Sequence, residues 1–164
     1  MAFKAAVVTV SDKGATGERE DLSGVVVKDA LTAAGIEVAR REILPDDLEE
    51  LTYILHELCD SGLDLVVTTG GTGLSERDIT PEATLAVIHK EVPGMSEAMR
   101  SASLKVTPHA MISRAVCGIK WKCLIINLPG SPKGAKECLD VVMRAIPHAL
   151  EVLSGQASEC AQSE

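Results

Sequence analysis

The chain opens on consecutive apolar positions. From Lys4 to Val10, β-branched and small apolar residues follow one another without alternation, the pattern of a strand covered on both faces in a parallel sheet. The run stops at Ser11-Asp12. From Asp21 onward Leu22, Val25, Val26, Ala30, Leu31 and Ala34 recur at helical spacing, with Gly35 where a helix C′ residue belongs. Ile36 to Leu44 then alternates apolar and charged residues, as a strand near a sheet edge does. Pro45-Asp46-Asp47 breaks that strand and opens a second helix, which should turn Leu48, Leu51, Ile54, Leu55 and Leu58 inward.

Asp64 to Thr69 reads as a buried strand that runs directly into Gly70-Gly71-Thr72-Gly73, a turn no element interior accommodates. Thr80-Pro81-Glu82 has the form of a helix start, with Thr80 as N-cap and Pro81 at the first helical position, and the helix should reach about Lys90. Pro93-Gly94 ends that stretch, Met95 to Lys105 predicts a fourth helix, and Thr107-Pro108 closes it. Ala115 to Ile119 and Lys122 to Asn127, joined at Lys120-Trp121, predict a hairpin and therefore an antiparallel pair at the far side of the sheet. A last long helix, about Gly134 to Leu153, should bury Ala135, Leu139, Val142, Ala145 and Leu150 and kink at Pro147.

Strands alternating with helices, followed by a late antiparallel hairpin, predict a three-layer α/β/α sandwich on a mostly parallel sheet. Residues 1–155 form one domain in this reading, and 156–164 read as a frayed tail. Ligands of such sheets sit at the carboxyl ends of strands. The loops after Val10, Thr69 and Asn127 all lie at such ends, so they should converge on one crevice.

Composition narrows the function classes. A length of 164 residues with 46% apolar side chains fits one domain with an aliphatic core. The formal net charge of -8 opposes non-specific nucleic-acid binding over most of the surface, although a helix N-terminus or a bound cation reverses the field locally. Cys59, Cys117, Cys123, Cys138 and Cys160 lack zinc-site or disulfide-framework spacing and read as reduced thiols. No leader-like segment and no apolar run near the roughly 20 residues of a membrane span is visible, which predicts a cytoplasmic protein without membrane attachment. His56, His89, His109 and His148 stand apart, so no structural metal is predicted.

The strongest local signal is Thr68 to Pro81, TTGGTGLSERDITP. Its glycines let backbone approach a ligand and turn successive N–H groups toward oxyanions, a natural phosphate cradle. It lacks the Lys-Ser/Thr pair of a Walker A loop and the spacing of the dinucleotide fingerprint. The bland reading of Asp78 is an ordinary loop carboxylate serving as a helix cap. Asp46, after a proline at a helix start, has the N-cap as its bland reading, with Asp47 as its substitute if the register slips by one. Glu82 reads as a complement to the helix dipole, and Arg77 as either a phosphate contact or a surface ion-pair residue. Trp121 at the hairpin tip is either a subunit contact or an exposed aromatic.

The stretch resembles the Mog/MoaB family of molybdenum cofactor biosynthesis, whose members carry Gly70-Gly71-Thr72-Gly73, then Arg77-Asp78 and Thr80-Pro81-Glu82-Ala83 as they stand here. The likeness extends through Thr9 to Asp12, Ile43 to Asp46, Met111 to Arg114 and Leu124 to Pro132, in family order over nearly the whole chain. It implies Mg²⁺-dependent transfer of AMP from ATP to molybdopterin, giving adenylylated pterin and pyrophosphate. Asp46 and Asp78 match positions regarded as catalytic and would hold or orient the Mg²⁺. In this resemblance Gly70, Gly71, Thr72 and Gly73 cradle the nucleotide phosphates, Ser103, Asn127, Pro129, Ser131 and Lys133 serve the pterin pocket, and Ser11 and Asp12 complete the cofactor-binding set. Ser113-Arg114 matches a family motif without an assigned chemical step. The family assembles as homotrimers or hexamers, and its product passes to a metal-insertion protein. Two alternatives stand beside this reading: a pterin carrier on the same fold with little catalysis, and a competence-damage-type enzyme of nicotinamide nucleotides.

Overall fold

The computed structural model describes residues 2–156. Nearly all of the predicted tail, and with it Cys160, lies outside the described residues. The elements in chain order are β1 (Lys4–Val10), α1 (Asp12–Ala15), α2 (Leu22–Ala33), β2 (Glu37–Leu44), α3 (Leu48–Asp60), β3 (Leu65–Thr69), α4 (Thr80–Val87), β4 (Lys90–Glu91), α5 (Pro93–Leu104), a 3₁₀ turn (Pro108–Ile112), β5 (Cys117–Lys120), β6 (Cys123–Leu128), α6 (Pro132–Met143) and α7 (Ile146–Ser154). The sheet runs β2-β1-β3-β6-β5-β4. The first four strands are parallel, and β5 and β4 pair antiparallel at the far edge.

The strand pattern follows from burial. On the central strands alternate residues serve opposite cores. Ala5, Val7, Leu65, Val67, Leu124 and Ile126 meet Val27 and Leu31 of α2, Met99 of α5, Leu139 of α6 and Leu150 of α7. Ala6, Val8, Val66 and Ile125 meet Leu51, Leu55 and Leu58 of α3 and Ala83 and Val87 of α4. Both faces are dry, which is why these strands read as unbroken apolar runs. At the other extreme, β2 is an edge strand whose residues alternate between exposed and half-buried, as its sequence predicts.

Helix boundaries depart from the sequence reading in informative ways. In α2 the buried face is Ser23, Gly24, Val27 and Leu31, leaving Leu22 and Val25 exposed, because Gly24 lies hard against Thr9 and Asp21 and draws that face to the sheet. Leu48 is exposed, since it sits at the first turn of α3, beyond the sheet. Thr80 lies inside α4 rather than capping it, and the helix stops at Val87 because Lys90–Glu91 is recruited to pair with β5. Pro93 opens α5 instead of ending a stretch, as a proline in the first turn does. The expected kinked C-terminal helix is two helices: Pro147 sits in the first turn of α7, Ala145 is exposed, and Ile146 takes the buried place expected for it.

The hairpin turns at Trp121, which adopts a φ of 54° and packs edge-on against His89 with ring centroids 4.3 Å apart. No helix among the described residues is long and apolar enough to cross a membrane.

Candidate active site

The strand after β1 in the chain lies to one side of β1 and the next lies to the other. The order reverses there, so a crevice opens between the loops that leave β1 and β3. Its two walls are level, since Thr9 pairs in register with Thr69. A cavity of about 550 Å³ occupies this position, lined by the carboxyl ends of β1 and β3, Ser11, Asp46, Gly70, Gly71, Asp78, the Arg19 to Ser23 segment and Gly130 to Pro132. Asp46 and Asp78, 32 positions apart in the chain, therefore face one space.

The glycines are required by backbone approach. Gly70 adopts a φ of 91°, and a Cβ there would overlap the Val10 carbonyl oxygen; Gly71, at 68°, would drive one into the Thr80 hydroxyl. Thr80 holds the turn by donating its N–H to Gly71 O at 3.1 Å and its hydroxyl to Gly70 O at 2.9 Å. The N–H of Gly70 donates to Leu128 O at 3.0 Å and is lost to a ligand, a correction to the expectation of a four-residue cradle. The N–H groups of Gly71, Thr72 and Gly73 meet no protein acceptor among the described residues.

The α3 cap is Asp47, whose Oδ1 accepts from Glu50 N at 2.8 Å. Asp46 is thereby released from capping and exchanges backbone bonds with Asp12: Asp12 N donates to Asp46 Oδ2 at 3.1 Å, and Asp46 N donates to Asp12 Oδ1 at 2.9 Å. Partial burial pushes the Asp46 carboxyl above its ordinary value, and the charges of Asp12 and Asp78 push the same way against the Asp12 N–H and Arg77. Asp12 itself is held below the usual carboxylate range by Arg77, which grips it through Nε at 3.0 Å and Nη2 at 2.8 Å. Arg77 is thus an ion-pair residue here. Asp78 Oδ2 accepts from Ser75 N at 2.9 Å, closing the loop on itself.

Beside this cavity lies a second, of about 260 Å³, between α5, the 3₁₀ turn and the start of α6. Ser103, Asn127, Pro129 and Ser131 line it together with Arg100, His109 and Cys138. Ser131 lines both cavities and caps α6, its Oγ accepting from Gly134 N at 3.0 Å. The Asn127 amide is bonded within the protein: Nδ2 donates to Thr68 and Thr84 hydroxyls at 3.0 and 2.9 Å, and Oδ1 accepts from Val116 N. Asp12, Thr72, Gly73 and Lys133 stand outside the walls of both cavities.

Several residues at the site carry no isolated sequence signal. Asp21 accepts from Thr9 Oγ1 at 2.9 Å and pairs with Arg41, and Ser23 meets Thr69 at 3.1 Å, forming a hydroxyl-rich floor. Serines and threonines at strand ends beside a glycine turn are the one pattern that could have drawn attention to it. Arg114 donates Nε to Gly73 O at 2.7 Å and Nη2 to Asp78 O at 2.8 Å, and pairs with Glu82.

The chain matches the family described as a probable molybdopterin binding domain over residues 6–148, which takes in both cavities. The chain belongs to this family. Within the molybdopterin-binding family it is 45% identical over 152 residues to a molybdopterin adenylyltransferase of Helicobacter pylori, covering 91% of this chain and 86% of that protein. It is 38% identical to the molybdopterin adenylyltransferase of Escherichia coli, covering 94% of this chain and 87% of the relative. The crystal structure of the molybdopterin biosynthesis enzyme MoaB from Thermus thermophilus superposes with a TM-score of 0.88 at 46% identity, covering 93% of this chain and 97% of that one. The molybdopterin-binding fold accounts for the six-stranded sheet and its antiparallel edge.

Proposed function

We propose that this protein is a molybdopterin adenylyltransferase that transfers AMP from ATP to molybdopterin with Mg²⁺. The observation that carries the reading is the pair of cavities that share Ser131, with Asp46 and Asp78 on the wall of the larger. ATP belongs in the larger one, where Gly71 holds a free N–H group on the wall, with those of Thr72 and Gly73 following it in the loop, and α6 presents its N-terminus at Ser131 and Pro132. The pterin belongs in the smaller, where apolar Met99, Val106 and Pro129 accompany Ser103, Ser113 and Arg100. Its terminal phosphate oxygen then forms a bond to the α-phosphorus as the bond from that phosphorus to the β-bridging oxygen breaks, and pyrophosphate leaves with the electron pair.

The donor set suits a divalent cation. Asp46 is crowded by two other carboxylates and raised by burial, the condition that a hard cation relieves. Among the described residues no group of three His, Cys, Asp or Glu is arranged to hold a metal. Asp46 and Asp78 would hold Mg²⁺ with substrate oxygens and water completing its shell, and the ion would neutralise triphosphate charge. The chain's own part is to align two anions and exclude water from between them.

The carrier reading predicts the same pterin binding and is separated by chemistry. Purified protein with molybdopterin, ATP and Mg²⁺ should release pterin-dependent pyrophosphate and form adenylylated pterin. Pterin binding without either product would leave a carrier, and turnover of nicotinamide nucleotides would put the competence-damage-type reading in its place. We further infer a cytoplasmic homotrimer or hexamer that passes its product to a metal-insertion protein, on the strength of the family likeness; sedimentation velocity tests the assembly.

A further inference from the structure

We propose that Arg114 is the positioning residue of the glycine loop: its guanidinium, oriented by Glu82, sets the place of Asp78 and of the free loop N–H groups. The inference rests on the nucleotide reading of the larger cavity and adds the part that makes the cavity wall.

The loop from Thr72 to Asp78 belongs to no helix or strand. Its internal ties are short-range: Asp78 N to Ser75 O at 2.9 Å, Ser75 N to Asp78 Oδ2 at 2.9 Å and Arg77 N to Ser75 Oγ at 3.1 Å. Those bonds fix Asp78 relative to Ser75 but leave the whole excursion free to swing about its ends. Arg114 spans it. The Arg114 N–H donates to Thr72 O at 2.9 Å, Nε to Gly73 O at 2.7 Å, and Nη2 to Asp78 O at 2.8 Å, so one residue grips where the loop leaves and where it returns. Among the described residues, the other hydrogen-bonded tie from the loop to the rest of the molecule is the exposed Arg77–Asp12 ion pair.

Three features show that the grip is directional. Glu82 pairs with Nη1 from the first turn of α4, and its carboxyl lies below the usual range because of that guanidinium. The backbone around Arg114 is itself pinned, since Arg100 Nη1 donates to Ala115 O at 3.0 Å from the wall of the smaller cavity. And Arg114 takes carbonyls on the loop as its acceptors, which leaves the N–H groups of Thr72 and Gly73 without a protein partner among the described residues. A lysine at 114 keeps the charge but has one ammonium for acceptors that the planar fork reaches together.

The experiment compares wild type with Arg114→Lys, Arg114→Ala and Glu82→Gln. Hydrogen exchange in the absence of any substrate should show faster exchange confined to residues 71–79 in both Arg114 variants. Calorimetric binding of Mg²⁺ with a non-hydrolysable ATP analogue should weaken by roughly tenfold or more, as expected for a lost charge-assisted hydrogen bond. Pterin binding should be unchanged, and added guanidinium ion should restore part of the nucleotide affinity to Arg114→Ala. Exchange in the loop equal to wild type, or deprotection spread evenly over the sheet, would overturn the proposal. Because the exchange measurement uses no substrate, it stands or falls separately from adenylyl transfer.

Discussion

Asp47 points its Oδ1 at the Glu50 amide, whereas Asp46 turns back toward Asp12 and the cavity. Substituting one or the other should therefore give opposite phenotypes. Asp47→Ala removes an N-cap, costs about 1 kcal/mol and should lower Tm by roughly 2–4 °C with turnover intact. Asp78→Asn should reduce kcat by roughly 100-fold or more, the scale of a lost electrostatic partner in a dry site, while pterin binding by fluorescence stays near wild type. For Asp46 the sign runs against the usual salt-bridged acid. Its folded value is raised above the ordinary 3.8, so between the two values the folded protein holds a proton that the unfolded chain has lost, and stability falls as pH rises through that window. Asp46→Asn should consequently raise the metal-free melting temperature at pH 7, with the gain vanishing as pH falls below 3.8. The same variant should lose Mg²⁺-dependent turnover, and wild-type Mg²⁺ affinity should fall as pH drops through the raised value. A melting curve of Asp46→Asn that matched wild type across pH would contradict the burial of that charge.

Among the elements, the central strands were legible from the chain because a two-sided core leaves an unmistakable apolar run, whereas exposed β4 left none. Helix termini were less so. Thr80 carries every mark of an N-cap, yet its hydroxyl is taken by Gly70 O, a partner ten residues back that only the folded loop supplies. Pro147 reads as a kink because spacing alone continues across it, while burial of Ile146 requires a fresh start. Asn127 was recognisable as special but not as consumed, since Thr68 and Thr84 come from different elements. The grip of Arg114 on carbonyls 36 and 41 positions away leaves no periodic trace at all. Helix α6 shows where the pattern does suffice: Ala135, Leu139 and Val142 are buried as its periodicity predicts. Leu139→Ala should cost about 2–5 kcal/mol by urea titration, and, being on the α2 and α5 side of the sheet, should leave the residual folded enzyme's KM for ATP unchanged.

The molecule as a whole joins two chemically different cavities on one rigid sheet. The two apolar cores that cover the faces of the sheet lie apart from Asp46 and Asp78, so the fold should hold without the cation. A chelator should abolish turnover while leaving the substrate-free Tm where it was. Mg²⁺-ATP at about 100 times its Kd should add about 2.7 kcal/mol of stability, visible as a higher Tm, and the chelator should remove that increment alone. Where both loops meet, Gly130 and Gly70 touch backbone to backbone: a Cβ on Gly130 would lie 3.2 Å from the Gly70 Cα. The larger cavity thus has a seam with no side chain in it: Gly70 is fixed by its φ of 91° and by the Val10 carbonyl oxygen, while a Cβ at Gly130 asks its neighbour to give by a few tenths of an ångström. A combinatorial library randomised at 70 and 130 together should return glycine at 70 and nothing larger than alanine at 130 from any selection for formation of the product. The two halves of the crevice would then evolve as a single unit, locked by atoms that are missing.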